Sequence, residues 1–327
     1  MEDTKIEGKK VHAATKADDK GVMGRLFWYT VGGCLVPCEE LKDKWTKLGL
    51  PAEWRPNDPR PSDVFKQATK SVEEEEHVKV KDEDCIATYI VEPAKSTARI
   101  RHVVRLLKKD KKEGAKEKPF NTQDVGEWEL DDDDKIVVRL YVTDEAIVKK
   151  FDKMTVEVRK TYNTLKKSIT ENDLRYVLKE AIHRMPYILL RPSGGVYFVP
   201  NECTQRLEQF SKLLKWVSES YSTTAFKSEL WQIPLVQESR DLVYEKFQDD
   251  VIERINKVFT EITDIVAKED ATVYPCKFKE YMETLEHISE TYHRYTELLD
   301  DDITTVKSKM DILKEALVKL QTKVKGP

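Results

Sequence analysis

The feature that most constrains the fold is a long apolar stripe near the end of the chain, between Cys276 and Val324. Its apolar residues follow one another at steps of three or four, with one repeated four from Leu299 to Ile303. This spacing is the heptad pattern of a helix that packs along another helix. A single helix of that length would extend on the order of 70 Å, which is more than one compact domain covers. The stripe therefore predicts a long helix with at least one helical partner.

A second stripe of the same kind occupies residues 239–268, and a loop at 269–275 separates the two. We therefore predict an antiparallel coiled-coil hairpin over residues 239–324, in which the final helix is longer than its partner. The unpaired end is expected to contact another helix, in this chain, in a second copy or in another protein. The predicted partner-helix positions are Ile303, Val306, Met310, Leu313, Leu317, Leu320 and Val324.

Composition excludes several classes of protein. The formal net charge is −4 and the hydrophobic content is 39%, which is typical of helix-rich soluble protein and argues against wholesale coating of nucleic acid. No run approaches the roughly 18 apolar residues of a membrane span, and residues 1–20 lack the apolar core of a signal peptide. The five cysteines are scattered and odd in number, which favours a reducing, cytoplasmic location.

The chain divides by pattern into four predicted segments. Residues 1–22 are polar and predict a disordered tail. Residues 23–143 carry strands and short helices, including two hairpins whose alternation predicts an antiparallel sheet with one buried face; a basic linker occupies 108–118. Residues 144–200 read as helix, helix and hairpin, and residues 201–327 as a helical bundle. The predicted fold class is therefore α+β.

A short apolar run at 230–236 interrupts the helical bundle region. It contains Pro234, which cannot donate a hydrogen bond to a sheet ladder. The run is therefore predicted to be an edge strand or an ordered loop.

Patterns of enzyme chemistry are missing from the sequence. There is no nucleophile elbow, phosphate-binding glycine loop or dinucleotide fingerprint. Two Glu-x-x-His matches, Glu180/His183 and Glu290/His293, resemble half-sites of a di-metal centre, but they flank the apolar stripes of their helices and are interpreted as chance matches. Cys34 and Cys38 lack a second ligand pair for zinc. We predict no catalytic residue, no cofactor and no metal site.

Basic residues suggest a second hypothesis, nucleic-acid binding. The predicted helix 171–185 and hairpin 187–199 follow one another as in the second half of a winged helix, and the basic linker adds further cations. The predicted contact residues are Arg175, Lys179, His183, Arg184, Arg191, Lys108, Lys109, Lys111 and Lys112. The alternative is that these faces are solvated or paired, and the arginines of strand 100–107 have Glu127 and Glu129 as expected cross-strand partners.

The order of landmarks in the first 200 residues resembles a family of bacterial and phage proteins without an assigned activity. The landmarks are Phe27-Trp28-Tyr29-x-Val31, Val36-Pro37, Leu48-Gly49-Leu50-Pro51, Pro59-x-Pro61-x-Asp63-x-Phe65-x-x-Ala68-Thr69 and Arg191-Pro192-x-Gly194-Gly195-Val196-Tyr197-Phe198-Val199-Pro200. The resemblance implies a prokaryotic or viral cytoplasmic setting and assigns no site residue.

Together these patterns favour a non-enzymatic interaction or assembly protein that acts through long coiled-coil helices, with a protein partner or a homo-oligomer as its target. The alternative hypothesis is a nucleic-acid-binding protein. An enzyme with a site at the Trp- and Pro-rich loop 54–61 is a third, since loops of that kind line pockets.

Overall fold

The computed structural model describes residues 21–80, 83–94, 97–109, 121–191, 195–268, 271–301 and 303–324. The predicted tail lies outside these ranges except for its last two residues. The strands are β1 (Val22–Thr30), β2 (Leu35–Pro37), β3 (Glu74–Val80), β4 (Glu83–Ala94), β5 (Thr97–Lys109), β6 (Asn121–Leu130), β7 (Ile136–Leu140), β8 (Ser168–Thr170), β9 (Ile188–Arg191), β10 (Val196–Pro200) and β11 (Glu229–Val236). The helices are α1 (Cys38–Lys47), α2 (Pro61–Lys70), α3 (Glu145–Leu165), α4 (Glu171–His183), α5 (Thr204–Ser220), α6 (Arg240–Val266), α7 (Pro275–Leu299) and α8 (Thr304–Gln321). The strands within each sheet pair antiparallel, which confirms the α+β class.

The chain forms two compact units that are interleaved in sequence. One, here the sheet unit, comprises Gly33–Lys44 and Arg55–Leu174; the other, here the bundle unit, comprises residues 21–32, Trp45–Trp54 and the chain from Arg175 onward. The predicted consecutive segments (23–143, 144–200 and 201–327) differ from this division. The reason is that β1, near the start of the chain, pairs with β10 and β11, far along the sequence.

The sheet unit is built on a five-stranded sheet in the order β3-β4-β5-β6-β7. Its core side chains pack against α2 and α3: the Trp128 and Phe151 rings stack with centroids 5.3 Å apart, and Trp128 Nε1 donates to Thr155 Oγ1 at 2.9 Å. Strand β3 was not predicted, because the run of four glutamates at 73–76 is typical of the polar end of a helix.

The predicted partners of the β5 arginines are wrong. Arg139 of β7 binds both carboxylates, at 2.5 Å to Glu127 and 2.7 Å to Glu129. The register places His102, and not an arginine, opposite Glu127. The two glutamates therefore lie on the same face of the sheet as His102.

The bundle unit joins a four-stranded sheet, in the order β11-β1-β10-β9, to the three helices α6, α7 and α8. Phe198 of β10 and Phe247 of α6 both contact the Tyr295 ring of α7, with centroids 6.2 and 4.7 Å away. The Tyr295 hydroxyl donates to the carbonyl oxygen of Pro186 at 3.2 Å. The tyrosines in the apolar stripe of this helix are core residues, since Tyr281, Tyr292 and Tyr295 are all buried.

The predicted single helix from 276 to 324 is wrong. Helix α7 ends at Leu299, and the next residue, Asp300, adopts a left-handed conformation with φ +46°. A separate helix, α8, begins at Thr304. Arg240 Nε, at the start of α6, donates to the carbonyl oxygen of Leu299 at 3.0 Å and so binds the end of α7. The repeated step of four at Leu299–Ile303 marks a turn between two helices.

α8 returns along α6. Lys309 Nζ donates to Asn256 Oδ1 at 3.3 Å, and Val324 forms a parallel bridge with Val273. The side chains reserved for a partner helix are consequently buried inside this chain; those below 9% exposure are Ile303, Val306, Met310, Leu313, Leu317 and Leu320. Because these side chains are buried within the bundle, they do not form a free surface. The coiled-coil geometry between α6 and α7 stays a prediction. No helix in the described part of the chain is long and apolar enough to cross a membrane.

Candidate functional site

The cationic face predicted on α4 is largely occupied by contacts within the bundle unit. Arg175 Nη2 donates to the Val31 carbonyl oxygen at 2.8 Å, and the His183 ring stacks on Tyr187 with centroids 5.1 Å apart. Arg184 Nη1 donates to the Glu53 carbonyl oxygen at 3.2 Å. Lys179 is exposed. Three of the four predicted contact residues on this helix thus have a structural role.

The other predicted nucleic-acid contacts lie apart from α4 in the sequence. Lys109 of β5 pairs with Glu83 at 2.8 Å in the sheet unit, and Lys108 is half-buried on the same strand. Lys111, Lys112 and the Arg191 side chain are outside the described residues. The hairpin β9–β10, predicted as a wing, is joined through β10 to β1 and is part of the sheet.

A cluster of aromatic and ionisable groups surrounds Tyr187 in the bundle unit. The Arg254 guanidinium lies 3.9 Å from the Tyr187 ring centroid and is ion-paired with Asp250, which is 7% exposed. His287 of α7 stacks on the same tyrosine with centroids 6.2 Å apart. Its Nε2 atom is buried without a hydrogen-bond partner among the described residues.

Burial dominates the protonation of this cluster. It lowers the pKa of His183 and of His287 to about 4, with Lys179 and Arg254 adding repulsion at His183, and Arg254 at His287. It raises the pKa of Tyr187 to about 12. Both imidazoles are therefore neutral at pH 7. The cluster holds α4, α6 and α7 together through the Tyr187 ring.

In the ranges that the structure describes, no group of three His, Cys, Asp or Glu side chains is placed to hold an ion. The Glu-x-x-His pairs are not brought together: His183 stacks on Tyr187, while His293 contacts Tyr292.

Strand β11 presents apolar side chains to solvent at an edge of the sheet in the bundle unit. Among the described strands it pairs only with β1, so its other edge is open. Trp231 and Ile233 are 39% and 47% exposed, and Trp231 stacks on Trp28 with centroids 6.0 Å apart. Leu235, on the same side of the strand, packs against the helical core. The helices therefore cover one end of this sheet face and leave Trp231 and Ile233 uncovered.

The position of Pro234 determines which backbone groups point outward from β11. Pro234 is opposite Arg25, and because proline has no N–H, this must be a pair without ladder hydrogen bonds. Hydrogen-bonded and non-hydrogen-bonded pairs alternate in an antiparallel ladder. The N–H and C=O groups of Leu230 and Gln232 are consequently directed to the open edge.

A groove of about 560 Å³ lies beside the start of this strand. Its walls are Ser211, Lys215, Ser218 and Glu219 of α5 and residues 227–231. Two hydrogen bonds secure the strand entry: the Ser228 N–H donates to Ser218 Oγ at 3.2 Å, and Ser228 Oγ accepts from the Gly32 N–H at 3.0 Å. A groove between a helix and an open strand edge can accept an extended chain.

Sequence reasoning identified β11 as an edge element through Pro234 but did not assign it a function. The available signal was the exposed Trp231-x-Ile233 alternation next to a proline. Its meaning depends on which strand lies beside it, and β1 is about 200 residues away in sequence.

A family model described as a family of unknown function, DUF6744, matches residues 22–326, and the chain belongs to this family. No curated protein and no solved structure matches the chain.

Proposed function

We propose that this member of the DUF6744 family is a protein-interaction subunit that binds an extended segment of a partner chain by adding it as a strand to β11. The observation that carries the proposal is the open, apolar edge of β11. The class of function is the one expected from the sequence. The surface differs, because the apolar stripes of the helices are buried within the bundle.

An exposed apolar strand at a sheet edge is unfavourable for a protein, and this supports a binding function for the open edge of β11. Natural proteins protect open edges with charges, prolines or covering loops, because an exposed apolar edge promotes aggregation. β11 has its proline near one end only and presents Trp231 and Ile233 to solvent. Unpaired N–H and C=O groups at Leu230 and Gln232 supply the affinity of strand addition, while pockets for alternate side chains supply specificity.

Selection from a displayed library of random peptides tests the proposal. We expect enrichment of peptides with alternating apolar residues, with dissociation constants on the order of 1–100 µM. Hydrogen exchange should show slowed exchange at the Leu230 and Gln232 amides when a selected peptide binds.

Two variants alter the edge without altering the pairing with β1. Trp231→Lys places a charge on the exposed face, and Gln232→Pro removes an outward N–H that β1 does not use. Each should weaken peptide binding at least tenfold. The control is Val318→Lys, which adds the same charge at an exposed apolar position of α8 (66% exposed). Peptides that bind both edge variants as well as wild type would show that β11 is not the binding surface.

A further inference from the structure

We infer that the partner strand is β11 of a second copy, paired antiparallel about a two-fold axis that passes beside Trp231. This inference rests on the proposed strand-addition function and goes further by naming the partner. It is carried by the limits of the open edge, which are symmetric about Trp231.

The row of outward N–H groups along β11 is interrupted at one residue on each side of Trp231. Toward the start, the Ser228 N–H is taken by Ser218 Oγ of α5. Toward the end, Pro234 has no N–H. Between these limits the groups available to another strand are those of Leu230 and Gln232, one on either side of Trp231.

These limits select one register for two antiparallel copies. With Trp231 opposite Trp231 of the second copy, Leu230 faces Gln232 twice, and all four N–H groups find a carbonyl partner. A shift by two residues toward the end pairs Leu230 with Pro234 and leaves carbonyl groups without donors. A shift the other way pairs Gln232 with Ser228, whose N–H is already used. Of these registers, only the one centred on Trp231 pairs every outward N–H and C=O group of Leu230 and Gln232.

The side chains agree with this register. Trp231 is opposite itself in a non-hydrogen-bonded pair, where the side chains of antiparallel strands lie closest. Since Trp231 already stacks on Trp28, the two copies would bring four indole rings into one row across the joined sheets. Stacked aromatic rings of this kind stabilise an interface beyond the burial of their surface.

An interface limited to one strand and its flanking side chains lies at the low end of the size range of stable complexes. The dimer is therefore expected to dissociate on dilution, with a dissociation constant on the order of 1–100 µM. Sedimentation equilibrium of the full chain from about 1 µM to about 1 mM covers that range. Wild type and Val318→Lys should show the monomer–dimer equilibrium, while Trp231→Lys and Gln232→Pro should stay monomeric.

Cross-linking tests the register. Cysteines at non-hydrogen-bonded partners have Cα atoms about 4.5 Å apart, within disulfide range. In a Cys276→Ser background, which removes the one exposed cysteine among those described, Trp231→Cys should form a disulfide-linked dimer on mild oxidation. Ile233→Cys is the matched control, because two residues 233 would be about 13 Å apart in this register.

A wild-type chain that stays monomeric throughout, or an Ile233→Cys dimer that forms as readily as the Trp231→Cys dimer, would overturn the inference. Peptide binding by a strictly monomeric chain would leave the proposed function standing with a different partner. A monomeric chain that selects no peptide would remove both.

Discussion

Replacement of His287 by phenylalanine should make the stability of the bundle unit less sensitive to acid. His287 stacks on Tyr187 and has a buried, unpartnered Nε2 atom, so phenylalanine keeps the ring contact and removes the polar atom. Burial lowers the pKa of His287 to about 4 in the folded chain, against about 6.5 in an unfolded one. Between these values the unfolded state binds more protons than the folded state, so stability rises with pH from 4 to 6.5 and is lost on acidification.

The magnitude follows from the two pKa values. Integration from pH 7 to pH 5 gives a loss of about 2 kcal/mol for a fully transferred imidazole. Because the ring is only partly shielded from water, we expect about 1–2 kcal/mol. At pH 7 the variant should be as stable as wild type or more stable, since an unpartnered buried polar group costs about 1–3 kcal/mol.

Urea unfolding at pH 7 and pH 5 measures the effect. The wild-type free energy of unfolding should fall by about 1–2 kcal/mol more than that of His287→Phe between the two conditions. Asp250, whose pKa is raised by burial, titrates with the opposite sign, but it is common to both proteins and cancels in the comparison. Met282→Phe, an exposed substitution on the same helix, should show the wild-type pH dependence. Equal losses for wild type and His287→Phe would refute the assignment of acid sensitivity to this buried ring.

Three further substitutions test other parts of the structure. Asp300→Gly should raise the thermal midpoint of unfolding by a few degrees, because Asp300 has φ +46° and glycine relieves about 1 kcal/mol of left-handed strain. Asp300→Ala should lower the midpoint, and the reverse order would contradict the left-handed turn between α7 and α8. Gly32→Ala should destabilise the bundle unit by more than about 2 kcal/mol, because a Cβ there would lie 1.8 Å from the Phe226 carbonyl oxygen. Urea unfolding measures the loss, and a neutral result would show that the chain leading into β11 does not pass against Gly32. Arg254→Met should cost about 3–5 kcal/mol by leaving the Asp250 carboxylate buried and unpaired, and the double variant Arg254→Met/Asp250→Leu should recover part of that loss; denaturant unfolding of both variants checks the coupling, and simple addition of the two effects would argue against the ion pair.

Local patterns predicted most elements of the chain. The hairpin strands β4–β5 and β6–β7 follow from alternation, and α3, α5 and α6 follow from helical spacing, because these patterns record which face of an element is buried. Pro234 limited residues 230–236 to an edge strand or an ordered loop, since a proline cannot donate to a central ladder, and the structure shows the edge strand.

The surface predicted for a partner helix is not free in the structure. Its positions extended from Ile303 to Val324, and those up to Leu320 are buried in the bundle. A heptad stripe shows that a helix has an apolar partner and leaves open whether that partner belongs to the same chain. Spacing likewise placed Arg175 and His183 on one helix face and left open whether that face was paired, because their partners, Val31 and Tyr187, become visible only in the fold.

The sequence by itself determined the periodic elements and the α+β class, and it excluded a central strand at Pro234, because each depends on the chemistry of neighbouring residues along the chain. Only the tertiary structure decided where the long C-terminal stripe turns back, and that β1 lies between β10 and β11. The physical reason is that these features arise from contacts between distant residues: Arg240 binds the end of α7, and α8 fills the face of α6. The same long-range packing leaves Trp231 and the outward N–H groups of β11 open to a partner strand.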